Sequence, residues 1–187
     1  MAIADFMERL ISAGEFYLMP DDGVPKELVR GRIVTMNVPA PRHGHFCSRI
    51  SRWVGVFAED EHDLGRVMTN DSGVVTERDP DTVRGPDVSY YSYNRLPKGP
   101  LPEGYLDVVP EAAFEVRSPT DSWPRTYARV NELLSAGVSV VCVLDPRTES
   151  LMVCQHDAPA RTLYQGGTLT LPDLLPGFEL PIARLFE

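Results

Sequence analysis

Long apolar runs are missing from this chain of 187 residues. Pro, Gly or a polar side chain interrupts every stretch well before the ~20 apolar residues that a bilayer-spanning helix needs, so no membrane span is expected. The opening Met1-Ala2-Ile3-Ala4-Asp5-Phe6-Met7-Glu8-Arg9 lacks a basic start followed by an apolar core. No secretory signal is read there, and the cytoplasm is the expected compartment. Cysteine is scarce: Cys47, Cys142 and Cys154 are an odd set without close pairing, which speaks against a disulfide framework or a zinc motif and for reduced, structural thiols. Positive charge is also short, with 18 Lys and Arg against 27 Asp and Glu and a net charge of -9. A nucleic-acid protein usually carries a basic footprint, so strong non-specific duplex binding is not expected. Arginines still gather at Arg42, Arg49 and Arg52 and again at Arg117, Arg125 and Arg129, as a phosphate patch or as solvated helix faces. There is no internal repeat and no low-complexity tract.

What is present suits one well-filled core, so residues 1–187 are read as a single domain. Residues 3–13 have the pattern of a short amphipathic helix ending at Gly14. Lys26 to Met36 reads as two strands reversing at Arg30-Gly31. After Pro39-Ala40-Pro41, the apolar positions Phe46, Ile50, Trp53, Val54 and Phe57 recur at helical spacing. Short β-prone runs follow at 65–69, 73–76 and 87–91, with a polar loop at 77–81. The Pro- and Gly-rich stretch 94–110 reads as a surface loop with the length of a lid. An apolar strand at 112–116 leads through Asp121-Ser122-Trp123-Pro124 into a helix with Tyr127, Val130, Leu133 and Leu134 on its buried face. The run Val138 to Leu144 suits a strand covered on both faces. Strand, helix and strand in so few residues imply a right-handed βαβ crossover between parallel strands. A strand at 150–155 makes the sheet mixed, and 162–171 suggests a peripheral hairpin. The fold class is therefore α/β, in the sense of an α+β mixed sheet.

Two acids stand out. Asp87 follows a proline in Gly85-Pro86-Asp87-Val88 and leads into a strand, and Glu115 lies inside the apolar strand Ala112-Ala113-Phe114-Glu115-Val116. A carboxylate buried in such a strand is costly unless its charge is compensated, and a divalent cation shared with a second carboxylate is one answer. Asp87 and Glu115 are thus a candidate metal site.

Gly85-Pro86-Asp87-Val88, Phe114-Glu115-Val116-Arg117-Ser118-Pro119-Thr120-Asp121, Ala136-Gly137-Val138 and Val143-Leu144-Asp145-Pro146 together resemble the Uma-type family of "putative restriction endonucleases", within the PD-(D/E)XK nuclease superfamily. Glu27-Leu28-Val29-Arg30-Gly31 and Leu175-Pro176-Gly177-Phe178 fit as well, so the resemblance runs from about Glu27 to Phe178. It implies a restriction-endonuclease-like core preceded by a helix and hairpin and closed by a C-terminal hairpin. It further implies a Mg²⁺- or Mn²⁺-dependent phosphodiesterase acting on DNA, with Asp87, Glu115 and the Val116 carbonyl as metal ligands. The Lys that assists in this family has Arg129 at its matching position, counting back from Ala136-Gly137-Val138. Arg117 stands where the wider superfamily carries its Lys. Arg can hold a phosphate oxygen but keeps its proton and cannot act as a base.

His45 falls where the resembling family often has a His opening its second helix, and with Glu27 it is expected to line the cleft as relay or supporting partner. His43, His62 and His156 show no ligand spacing. Asp71 approaches from a neighbouring strand on one reading and is a turn residue on the other. Ser118 and Asp121 read as strand-end and cap residues. DNA is the expected substrate and a homodimer is admitted. The competing reading is a degenerate nuclease fold that serves as a binding or assembly module, which the Arg for Lys exchange and the acidic charge favour.

Overall fold

The computed structural model describes residues 9–187. The first helix, α1, spans Ala13–Tyr17. Residues 3–8 of the expected 3–13 helix lie outside the described residues, and the helix starts where that expectation placed its end. The reason is a capping box: the Ser12 side chain accepts from the Glu15 N–H while the Glu15 carboxylate accepts from the Ser12 N–H, a helix-start signature. Strands β1 (Lys26–Val29) and β2 (Arg32–Thr35) form the expected hairpin. Arg30 and Gly31, with φ of 49° and 74°, take the two left-handed positions that such a tight turn requires.

Helix α2 covers Pro41–Gly55 and continues as a π-turn over Val56–Glu61, burying Phe46, Ile50 and Val54 as the spacing foretold. Next come β3 (Gly65–Thr69), β4 (Val74–Glu77), β5 (Thr82–Arg84), β6 (Val88–Ser92) and β7 (Ala112–Val116). After α3 (Trp123–Ser135) follow β8 (Val140–Asp145), β9 (Ser150–Gln155), β10 (Ala158–Leu163), β11 (Thr168–Leu171) and β12 (Leu175–Pro181). The main sheet has the order β10-β9-β8-β7-β6-β3, with β7 and β8 parallel across α3 and its other pairs antiparallel. A four-stranded sheet, β2-β1-β5-β4, stands beside it, and β11 pairs with β12. The expected 162–171 hairpin is therefore split. Its first part belongs to β10, which extends the main sheet through β9, and its second part folds back on β12.

The main sheet is covered on both faces. Alternation puts Ala112, Phe114 and Val116 of β7 against α2 in the larger cluster, with Leu144 and Phe178, and Ala113 against Val130 and Leu133 of α3 in the smaller one. Tyr127 departs from its expected burial at 46% exposure, because its ring lies by Trp123, centroids 5.5 Å apart, at the outer end of α3. The 94–110 segment has no strand or helix, but it is tied down. Arg95 donates to the carbonyls of Val109, Pro110 and Gly137, and Tyr105 packs on Phe16 and Tyr17. Among the described residues, no helix is long and apolar enough to cross a membrane.

Candidate active site

The alternation that buries Ala113 against α3 carries Glu115 to the same face of β7. There it meets Arg129, one position before the buried Val130 on α3. The Arg129 Nε lies 2.9 Å from Oε1 of Glu115, a charge contact that lacks hydrogen-bond alignment: both atoms are buried without a hydrogen-bond partner. The other arms of the guanidinium are well seated, donating to Oε1 of Glu27 at 2.7 Å and to the Gly85 carbonyl at 2.6 Å.

Glu27 arrives through the second sheet. Leu28 of β1 pairs with Val83 of β5, which sets Glu27 beside Arg84, and Arg84 donates to Oε2 of Glu27 at 2.9 Å and to both oxygens of Glu132 on α3. The Gly85 N–H also donates to Glu27, at 3.0 Å. Only glycine fits at 85, since a Cβ would stand 2.6 Å from the Asp71 backbone oxygen. That close approach brings Asp71 into the group. Burial would raise the Glu27 carboxyl, but Arg129, the Gly85 N–H and Arg84 outweigh it and hold Glu27 below the ordinary range.

Asp87 sits one residue before β6, and because Val88 pairs with Phe114, the antiparallel register sets Asp87 opposite Glu115. Its Oδ2 accepts from the Val116 N–H at 2.6 Å, and its Oδ1 lies 2.9 Å from Nε2 of His43 at the start of α2. The bond to Asp87 and a contact with Cys47 push the His43 imidazole up to about 10. Burial and then Asp87 raise Asp71. Burial, with Asp87 adding to it and Arg129 opposing, pushes Glu115 up to about 7. Arg129 is also raised: burial opposes its charge, but Glu115 and Glu27 prevail.

The Glu115 shift has a measurable consequence. Between the ordinary carboxylate range and about 7, the folded chain holds a proton at Glu115 that the unfolded chain has released, so this group's contribution to stability declines as pH rises through that window. Glu115→Gln is expected to flatten the fall of melting temperature from about pH 5 to about pH 7. An unchanged slope would assign the decline to other groups.

Glu27, Asp87, Glu115 and Arg129 are thus brought together, with Val116 joining through its N–H. Arg117 is not among them. It donates to Asp145 at 2.6 Å and to the Asp121 carbonyl at 2.7 Å, and lies 4.0 Å over the Trp123 ring. Beyond the end of β7 the chain turns, and Asp121 closes that turn by accepting from the Ser118 N–H; the helix-cap position expected of Asp121 is held by Ser122, which makes no side-chain cap bond. His45 is exposed with its ring against Phe46, and His43 takes the place expected of it. Two residues span about 200° of a helix, so only one of these histidines can face the sheet end. The residues that sequence reasoning left out are His43, Cys47 and Arg84. The i, i+4 spacing of His43 and Cys47 was a signal in plain sight.

This architecture is the restriction-endonuclease-like α/β fold. A putative nuclease belonging to DUF820 from Anabaena variabilis has a solved structure similar to it over 94% of this chain and 97% of its own, with a TM-score of 0.81 and 19% identity. The family model described as "Uma2: Putative restriction endonuclease" matches residues 13–183, and the chain belongs to that family. No curated protein matches the chain.

Proposed function

We propose that the chain is a divalent-metal-dependent endonuclease that hydrolyses DNA phosphodiester bonds, with its described residues forming one nuclease-like domain. The observation that carries this reading is the placement of Asp87 opposite Glu115, one position beyond the paired Val88 and Phe114, beside a Glu115 oxygen that is buried without a hydrogen bond. A cation there would share Glu115 with Arg129, whose Nε lies 2.9 Å from that oxygen, and a hard carboxylate pair, with the Val116 carbonyl as the third ligand of this reading, suits Mg²⁺ or Mn²⁺. A cation bound there would supply a water of lowered pKa and neutralise charge growing on the phosphate. Asp87 is held for that task by His43 and the Val116 N–H. Arg129 keeps its proton at any biological pH, so it offers a phosphate oxygen charge and hydrogen bonds and abstracts no proton. Glu27, only 5% exposed, positions Arg129.

A second reading, a degenerate fold used for binding or assembly, is favoured by one observation: Arg129 is already engaged by Glu27, Gly85 and Glu115. The metal requirement separates the two. Ligand bound only by the folded state adds RT ln(1 + [L]/Kd) to stability. Mn²⁺ at about 100 Kd is therefore expected to stabilise the wild type by about 2.7 kcal/mol, read as a raised melting temperature, and Asp87→Ala should lose that response. Equal rises in both proteins would put the cation elsewhere. Mn²⁺ titration with supercoiled, linear and single-stranded DNA then reads the activity and the form of substrate.

A further inference from the structure

The face of Asp87 turned away from Glu115 belongs to a different donor set. His43 and Cys47 are one helical turn apart on α2, and one ligand atom from each, with a carboxylate oxygen of Asp87, all lie within 4.8 Å of one another. We propose that His43, Cys47 and Asp87 form a Zn²⁺-class metal site, distinct in its chemistry from the carboxylate pair of Asp87 and Glu115.

Three features support it. The donors are an imidazole nitrogen, a sulfur and a carboxylate oxygen, and such a mixed set prefers borderline ions such as Zn²⁺ and Co²⁺, while Mg²⁺ favours oxygen alone. Spacing of i, i+4 puts two ligands on one side of a helix, the geometry by which helices commonly present two zinc ligands. Access is open but protected: the His43 side chain is 20% exposed and that of Asp87 11%. Cys47 is the half-buried member of the three free cysteines, whereas Cys142 and Cys154 are buried in strands.

Ligands about 2.0–2.3 Å from one tetrahedral ion stand roughly 3.5 Å apart, so the present spread closes with a shift of about 1 Å. Three protein ligands leave the fourth position to solvent, the pattern of an open zinc site. Binding would release the thiol proton and replace the His43–Asp87 hydrogen bond by shared coordination. Because Asp87 also belongs to the carboxylate pair, an ion held here places a second positive charge next to Glu115.

Cobalt reports on the sulfur directly, and its readout needs no nuclease activity. Adding Co²⁺ alone to the purified, reduced chain is expected to produce a thiolate-to-metal charge-transfer band that saturates at one ion per chain and is erased by Zn²⁺. The band should persist in Glu115→Gln and vanish in Cys47→Ser, a near-isosteric change at a half-buried position. His43→Gln should weaken Co²⁺ affinity by more than the roughly ten- to hundredfold that losing an outer partner of a metal ligand costs. No band in the wild type, a band unchanged in Cys47→Ser, or loss of the band in Glu115→Gln would overturn the proposal. An enzyme that fails to cleave DNA yet gives this pattern would sink the nuclease reading and leave the site standing.

Discussion

Glu27→Ala is expected to lower the unfolding free energy by about 3 kcal/mol, measured by urea titration, because it removes the carboxylate shared by two part-buried guanidinium groups. The side chains of Arg84 and Arg129 are 17% and 20% exposed, and that of Glu27 6%, so solvent cannot fully take over the lost pairing. The Gly85 N–H loses its acceptor as well. Glu132, Glu115 and the Gly85 carbonyl remain as partners for the two arginines, which keeps the loss at the low end of the range for broken buried pairs. Glu27→Gln, which keeps an acceptor and removes the charge, should lose less. A cost below about 1 kcal/mol for the alanine variant would class the network with surface ion pairs.

The second large effect concerns Arg129. Arg129→Ala is expected to lower single-turnover cleavage roughly a hundredfold or more, the scale on which removing a charge that meets phosphate in a water-poor cleft acts. Arg129→Lys should retain or raise cleavage. A lysine cannot span Glu27, the Gly85 carbonyl and Glu115 together as the planar guanidinium does, so its compact charge is freer to meet a phosphate oxygen. Melting curves recorded beside the kinetics separate a lost charge from a lost fold. If the chain is a binding module, none of these variants cleaves and only affinity for DNA changes.

Much of the scaffold was legible because its elements carry strong periodic signals. Helix α2 announced itself through Phe46, Ile50 and Val54, and β8 through a Val-rich, almost wholly apolar run that is buried throughout. Strand β5 was not legible. Three residues, Thr82-Val83-Arg84, are too few for a two-residue alternation to show, yet they set Glu27 beside Arg84 and lead the chain to Asp87. The exchange of His45 for His43 has a similar cause: both open the same helix, and only packing at the sheet end decides which one points inward. Arg117 misled for the opposite reason. Its distance from Glu115 matched a motif, but Asp145 at the end of β8 and the Trp123 ring offered it a closer partner than the cleft. Glu115 stood out because an acid within an apolar strand conflicts with its surroundings, and Asp87 because it follows Pro86 and leads directly into β6.

Cleavage of supercoiled plasmid under Mn²⁺ by the wild type and by Glu115→Ala, prepared identically, tests the central claim most directly. Nicking and linearisation by the wild type, absent without Mn²⁺ and reduced at least about a hundredfold in Glu115→Ala, is the expected result. Equal cleavage by both preparations would trace the activity to a contaminant, and no cleavage by a wild type that is folded and binds DNA would contradict the nuclease reading in favour of the binding module.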